Sequence, residues 1–224
     1  MHLVVISCTP RMVKKSNTAI IIDSFKKGYE KNGNTTEVYY LSQRSTWETI
    51  REAFYSNAHI LFAIPLFVEC VPGLLLEFLE DIEPKKYSEG TEKTKIGFIL
   101  QGGFAEASQL RCCERYLERL PGYLNCDYTG TLVKGNMFAL GIADDASREK
   151  LVQPFVQMGE DYALREAFIK EEVSEFARPE YFSKGFILLY TLLGPLQKTA
   201  MGIMAKKLGC KTPLNAKPYQ KYLV

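Results

Sequence analysis

Short apolar runs recur along the chain and are the feature that most restricts its fold. Each run is continuous rather than alternating between apolar and polar residues, which is typical of strands buried on both faces of a parallel sheet. The four apolar runs are Leu3–Ile6, Val38–Leu41, Ile60–Ile64 and Ile96–Leu100. A fifth run, Asp127–Val133, is more polar and predicts a fifth strand.

The segments between the runs have helical periodicity. Ile21, Phe25 and Tyr29 repeat every four residues, and Ser45–Glu48 has the pattern of a capping box that opens a second helix. Strands and helices thus alternate at intervals of about 30 residues, which predicts an α/β fold: a doubly wound sheet of about five parallel strands with helices on both faces. Further helices are predicted after Pro72-Gly73, along the stripe Leu110, Cys113, Leu117 and Leu120, and over about 147–168.

Composition narrows the classes of function. Hydrophobic residues make up 46% of the chain and charged residues 24%, which is ordinary for a globular protein, and the net charge of +2 does not indicate a nucleic-acid partner. The six cysteines form no C-x-x-C pair, so we predict no metal site. No export signal is recognisable, and we therefore expect a cytoplasmic protein with reduced thiols.

The character of the sequence changes after Arg178-Pro179. We predict a first domain over 1–178 and a C-terminal hydrophobic helical extension over 179–224. Within the extension, residues 186–196 carry no charge but are too few to span a membrane, and Pro195 predicts a break into two short helices. The apolar surface could pack on its own domain, on a second subunit or, through 186–205, on a membrane. We expect a subunit interface, and hence a homodimer, and keep peripheral membrane contact as an alternative.

The loop after the first strand is rich in groups that bind phosphate. Hydroxyl groups cluster at Thr9, Ser16 and Thr18, beside the amide of Asn17 and the guanidinium of Arg11. The backbone N–H groups at the start of the following helix add further donors. Because the loop lacks G-x-G-x-x-G and G-K-[ST], it suits a single phosphate group rather than a dinucleotide or a triphosphate. The alternative is that Ser16 only caps the helix.

Two further loops follow strands three and four. The loop 65–73 has prolines near both ends and apolar residues between them, which suits a planar aromatic ligand, although a buried connection would have the same composition. The loop 101–106 contains Gly102 and Gly103, which allow a ligand to approach the backbone, and Phe104 could lie beside a ring. A simple glycine turn is the alternative here.

Together the three loops resemble those of the flavodoxin-like NAD(P)H-dependent FMN reductases. The motifs are T-P-R…S-N-T, P-L-F-V-E-C-V-P-G and Q-G-G-F, and the resemblance covers about residues 1–165. It implies FMN as cofactor and NAD(P)H as electron donor. It also implies phosphate contacts from Thr9, Arg11, Ser16, Asn17 and Thr18, ring contacts from Pro65, Leu66, Phe67 and Val68, and contacts at the far edge of the ring from Gln101, Gly102 and Gly103.

The chain departs from the family pattern in two of the loops, and its hydrophobic C-terminal extension is not part of that pattern. Four residues separate Arg11 from Ser16 instead of two or three, which predicts a bulge at Met12–Lys15, and Phe67 replaces the usual tyrosine or tryptophan. The resemblance implies hydride transfer from NAD(P)H through FMN to a small-molecule acceptor such as a quinone, nitro compound, azo dye or flavin. No catalytic side chain is assigned, since the cofactor supplies the chemistry. A flavodoxin-type electron carrier without nicotinamide turnover is the alternative.

Overall fold

The structure is a computed structural model that describes residues 1–212, 215–217 and 219–220. The chain divides into two compact units, Met1–Tyr181 and Phe182–Val224, which we call the N-terminal and C-terminal units. The sequence-based boundary lies three residues earlier, after residue 178. The part of the predicted extension at 213, 214, 218 and 221–224 lies outside the described residues.

Five parallel strands form one sheet in the order β2-β1-β3-β4-β5, which is the order of flavodoxin-like sheets. The predicted runs lie in the strands, except that Leu41 lies one residue beyond the second strand. The side chains of Leu3–Ile6 and Ile60–Ile64 are almost completely buried. The predicted fold class is therefore confirmed. The strands are β1 (His2–Ser7), β2 (Thr35–Tyr40), β3 (His59–Pro65), β4 (Lys95–Gln101) and β5 (Asp127–Lys134).

Helices of the N-terminal unit cover both faces of this sheet. Because parallel crossovers are right-handed, the reversal of strand order at β1 puts α1 on one face and α2, α3 and α4 on the other. Helix α5 packs against α1. A sixth helix, α6, has no counterpart in the sequence prediction. The helices are α1 (Asn17–Tyr29), α2 (Trp47–Ser56), α3 (Gly73–Glu80), α4 (Arg111–Tyr123), α5 (Asp145–Arg165) and α6 (Lys170–Ala177).

The predicted capping box at the start of α2 is wrong. Ser45 and Thr46 belong to a 3-10 turn, Arg44–Thr46, and α2 begins at Trp47 without a side-chain cap. The residue before α2 is Thr46 rather than Ser45, and its hydroxyl donates to the Gln43 carbonyl at 2.8 Å within the turn. Glu48 accepts from Arg51 Nη2 at 2.6 Å instead of reaching back to the backbone.

Helices α1 and α5 cross at two glycines. A Cβ atom on Gly28 would lie 1.8 Å from the Val156 carbonyl oxygen, and one on Gly159 would lie 2.1 Å from the Phe25 carbonyl oxygen. The helix backbones can approach this closely only because neither residue has a side chain. Beside the crossing, Tyr29 and Tyr162 pack with their ring centroids 6.3 Å apart, both almost completely buried. This contact fixes the orientation of α1, which begins at the ligand edge of the sheet.

The C-terminal unit contains the two short helices expected from Pro195, namely α7 (Lys184–Leu192) and α8 (Gly194–Lys207). Within the described residues, no single helix is long and apolar enough to span a membrane. Segments 184–192 and 196–207 are long and apolar enough only when they are taken together, and the chain bends by 78° between them.

Candidate functional site

The loops that follow the strands converge on the edge of the sheet where β1 and β3 lie side by side. In open α/β sheets this edge, at the point where strand order reverses, is where ligands bind. The backbone links the loops directly: Cys8 N–H donates to the Ala63 carbonyl at 2.9 Å, and Leu66 N–H donates to the Gln101 carbonyl at 2.8 Å. The three predicted loops are therefore neighbours in space.

The first loop reaches α1 through a 3-10 turn, Val13–Lys15. This turn takes up the additional residues between Arg11 and Ser16, so the predicted bulge is a regular turn. Ser16 caps α1, and its hydroxyl accepts from Ala19 N–H at 3.3 Å. The amides of Asn17 and Thr18 occupy the first turn of α1 and have no acceptor within the helix. They are backbone donors at the positive end of the helix dipole.

Three buried hydroxyl groups in this region each accept one hydrogen bond. Thr9 Oγ1 accepts from Arg11 N–H at 3.3 Å, Ser16 Oγ accepts from Ala19, and Thr18 Oγ1 accepts from Gln101 Nε2 at 3.3 Å. A hydroxyl that accepts through its oxygen still has its proton to donate. The three groups can therefore all donate to an anion, and the capping role of Ser16 does not prevent it from binding a ligand.

These hydroxyls line a cavity of about 160 Å³, which we call the polar cavity. Among the residues that the structure describes, Arg11 is the one charged residue that lines the polar cavity, and no carboxylate lines it. The charge and the hydrogen-bond donors therefore favour an anionic ligand. The lining residues are Thr9, Arg11, Ser16, Asn17, Thr18, Pro65, Leu66, Phe67, Gln101, Gly103, Met137 and Phe138.

The second loop forms a tight turn with an unusual backbone. Phe67 and Cys70 exchange two backbone hydrogen bonds of 3.0 and 3.2 Å, and the two central residues have positive φ, 51° at Val68 and 68° at Glu69. Positive φ at both central positions defines a type I′ turn, which normally contains asparagine or glycine. A β-branched valine is strained there, and strain of this kind is concentrated at functional sites.

We predict that Val68→Gly raises the free energy of unfolding by about 1 kcal/mol, because glycine adopts this backbone without the penalty of a β-branched side chain. Little packing is lost, since Val68 is 79% exposed. The midpoint of thermal or urea unfolding measures the change. Val68→Ile keeps the branching and is expected to leave the midpoint unchanged; an equal gain in both variants would contradict a conformational origin.

An apolar cavity of about 400 Å³ adjoins the polar one and shares Leu66, Phe67, Gly103 and Phe138 with it. Three exposed aromatic side chains line it, Phe67, Phe104 and Phe138. A flat apolar ligand could stack on such a surface. The remaining lining residues are Val68, Glu69, Gly102, Gln109 and Leu110.

A fourth loop, which follows β5, completes both cavities and was missed by the sequence analysis. It supplies Met137 and Phe138 and is tied to the third loop by hydrogen bonds from Met137 N–H to the Gly102 carbonyl, 2.9 Å, and from Asn136 N–H to the Phe104 carbonyl, 2.6 Å. The position of this loop in the sequence could have indicated it, because the loop follows a fifth parallel strand, whose carboxyl end lies at the same edge of the sheet.

The fourth loop also changes the role of Asn17. The Asn17 side-chain amide donates to the Met137 carbonyl at 2.8 Å, so it joins α1 to this loop rather than pointing both of its N–H groups at a ligand. One side-chain N–H and the backbone N–H remain for a ligand. Asn17 thus positions the loop and lines the cavity at the same time.

The structure brings all twelve predicted site residues together at these two cavities. Ten line the polar cavity, whereas Val68 and Gly102 line the apolar one. Their contacts with a cofactor remain a prediction. Cys8 follows β1 but is fully buried, and burial raises the pKa of its thiol above the ordinary value, so it is a poor redox group. Cys70 is exposed.

Neither a family model nor a curated protein matches the sequence. Solved structures are similar to it at low sequence identity. An FMN-dependent NADH-azoreductase from Bacillus anthracis, in complex with FMN, is 16% identical with a TM-score of 0.53, and the match covers 75% of this chain and 99% of that chain. An NADPH-quinone reductase from P. pentosaceus is 17% identical with a TM-score of 0.50, covering 71% and 98%.

A third similar structure is general stress protein 14 from Treponema denticola, in complex with FMN. It is 12% identical with a TM-score of 0.54, and the match covers 73% of this chain and 98% of that chain. At these identities the likeness concerns the backbone. Together with the strand order, it leads us to conclude that the chain has the flavodoxin-like fold in common with these two reductases and this stress protein.

Proposed function

We propose that the protein is an FMN-dependent oxidoreductase that takes hydride from NAD(P)H and passes it to a small-molecule acceptor. The observation that supports this most directly is the pairing of the two cavities. A carboxylate-free cavity with Arg11 and three hydroxyl protons adjoins an apolar cavity lined by aromatic rings. FMN has this division, with a phosphate group at one end and a flat ring system at the other.

The donor set fits one phosphate group. Thr9, Ser16 and Thr18 would donate their hydroxyl protons to its oxygens, the backbone amides of Asn17 and Thr18 would add two N–H donors, and Arg11 would supply the positive charge. These donors all belong to one loop and the first turn of α1. The described part of the chain places no second cluster of such donors along the two cavities, which favours FMN over FAD.

The strained turn at Phe67–Cys70 and Gly103 would hold the ring. Phe138, which the sequence analysis did not predict, would contact the ring from the fourth loop. When bound, FMN supplies the acceptance of hydride from a reduced nicotinamide and its delivery to a second acceptor. The task of the chain is then to hold the ring, exclude water with Leu66, Phe67 and Phe138, and leave room for one flat reactant at a time. Quinone, nitro, azo and flavin acceptors all meet that requirement of shape.

The absorption spectrum of the full-length protein tests the proposal. We expect the purified protein to be yellow, or to take up FMN stoichiometrically in preference to FAD, because the site offers donors for a single phosphate. Addition of NADPH or NADH under nitrogen should bleach the flavin absorption, and a quinone should restore it.

Three outcomes would contradict the proposal in different ways. Release of FAD on denaturation, or no uptake of either flavin, would refute the assignment of FMN. Uptake of FMN without bleaching by either nicotinamide would instead indicate an electron carrier of the flavodoxin type.

A further inference from the structure

The C-terminal unit has a charge composition unlike that of the remainder of the chain. Residues 182–224 contain seven lysines and no aspartate, glutamate or arginine, a formal charge of +7. Residues 1–181 contain 21 basic and 26 acidic residues, a formal charge of −5. Exposed surfaces normally mix both signs. A segment of this size in which all charged side chains are positive is therefore suited to a partner with negative charge.

Helix α7 is apolar around its whole circumference. The five consecutive side chains of residues 186–190 are all exposed, by 44–63%. Successive residues on a helix are rotated by about 100°, so these five point in every direction around the axis. A groove on a protein would cover one side of such a helix and leave the others in water. A helix that sinks into the surface of a bilayer has acyl chains on one side and lipid headgroups on the others, so lipid can cover more of its circumference.

An aromatic row runs along α7 from its N-terminal end. The ring centroids of Phe182 and Phe186 are 4.5 Å apart, and those of Phe186 and Tyr190 are 6.0 Å apart. Rings with a polar tip, such as that of Tyr190, are enriched at the boundary between acyl chains and headgroups. The row therefore favours a position of α7 at this boundary.

Helix α8 adds exposed lysines next to exposed apolar side chains. Lys198, Lys206 and Lys207 are exposed, as are Met201 and Ile203. The two helices have 9 and 14 residues and are bent by 78°. At 1.5 Å per residue they are about 14 and 21 Å long, shorter than a hydrocarbon core of about 30 Å. These lengths fit helices that lie in the surface of a bilayer.

We propose that residues 182–212 bind the protein to the surface of an anionic lipid bilayer as a peripheral anchor. The apolar side chains of α7 enter the boundary of the acyl chains, and the lysines of α8 contact the negatively charged headgroups. A two-fold dimer through this unit, as the sequence suggested, would bring two sets of seven lysines together. The charge thus favours lipid over a second copy.

Flotation of the full-length protein with lipid vesicles tests the anchor. We expect the protein to float with vesicles of phosphatidylcholine and phosphatidylserine at about 0.15 M salt, and to be released at about 1 M salt, where the charges are screened. It should bind vesicles of phosphatidylcholine alone much more weakly. Each lysine near an anionic surface strengthens binding by a factor of about five, so the loss of three lysines should weaken partitioning into the vesicles by about 100-fold. The test variant combines Lys198→Gln, Lys206→Gln and Lys207→Gln.

A matched variant removes three exposed lysines of the N-terminal unit and should float like the parent protein. It combines Lys86→Gln, Lys93→Gln and Lys150→Gln. Thermal unfolding of both variants verifies that they are folded. Three results would overturn the proposal: absence of flotation with anionic vesicles, equal flotation with neutral vesicles, or equal losses in the two variants. A folded dimer that does not float, measured by light scattering, would identify the C-terminal unit as a subunit interface instead.

Discussion

Replacing Gly28 by alanine is expected to lower the free energy of unfolding by about 3 kcal/mol, which is at the upper end for an overpacking substitution. The added Cβ would lie 1.8 Å from the Val156 carbonyl oxygen, 2.8 Å from the Val156 carbonyl carbon and 3.0 Å from Glu160 N. All of these atoms belong to the backbone of α5. No side chain can rotate away, so the helices must separate.

Two opposing effects decide the sign of this change. Alanine is favoured over glycine in a helix by up to about 1 kcal/mol, and this gain would partly offset the clash. Separation of α1 and α5, however, also loosens the buried contact between Tyr29 and Tyr162 beside the crossing. The clash and the lost packing together outweigh the helical preference.

Gly122→Ala is the matched control, because Gly122 also lies in a helix, α4, but a Cβ there would meet no atom within 4 Å. This variant should be neutral or more stable by up to about 1 kcal/mol. Urea unfolding of both variants gives the comparison. Equal stability of the two would contradict the close approach of α1 and α5.

The strands could be predicted from the sequence because burial on both faces leaves a simple pattern. Runs such as Ile60–Ile64 are apolar at every position, and their short length between turn residues favours a strand over a helix. Helix α6 has no comparable pattern: residues 170–177 are mostly polar, and its buried residues are Val173 and Ala177. It is stabilised by packing beside β5, a contact that local periodicity does not encode.

The candidate site could be predicted where its chemistry lies within one loop. Thr9, Ser16 and Thr18 are close in the sequence, and their hydroxyls were recognisable as a cluster. The structure confirms that Ser16 caps α1, and this cap uses an oxygen lone pair and leaves the hydroxyl proton free. The contact of Ser16 with a phosphate group stays a prediction. Phe138 could not be found in the same way, because it joins the site only through long-range hydrogen bonds of the fourth loop.

Removal of the Arg11 side chain is expected to weaken FMN binding by about 10- to 150-fold, which corresponds to the loss of one charge-assisted contact worth about 1.5–3 kcal/mol. Arg11 is the one charged residue that lines the polar cavity within residues 1–212, 215–217 and 219–220. The hydroxyls and amides around it remain in Arg11→Ala, so binding should be reduced rather than abolished. Fluorescence titration with FMN measures the change.

Riboflavin separates the charge contact from the folding of the loop, because it has the ring but lacks the phosphate group. Its affinity should be nearly the same for Arg11→Ala and the parent protein. Lys14→Ala is the matched control, since Lys14 is an exposed cation of the same loop that does not line either cavity. We expect this variant to bind FMN like the parent, apart from a small effect of long-range charge. If Arg11→Ala loses affinity for both flavins equally, Arg11 stabilises the loop and the positive contact to the phosphate must come from another group.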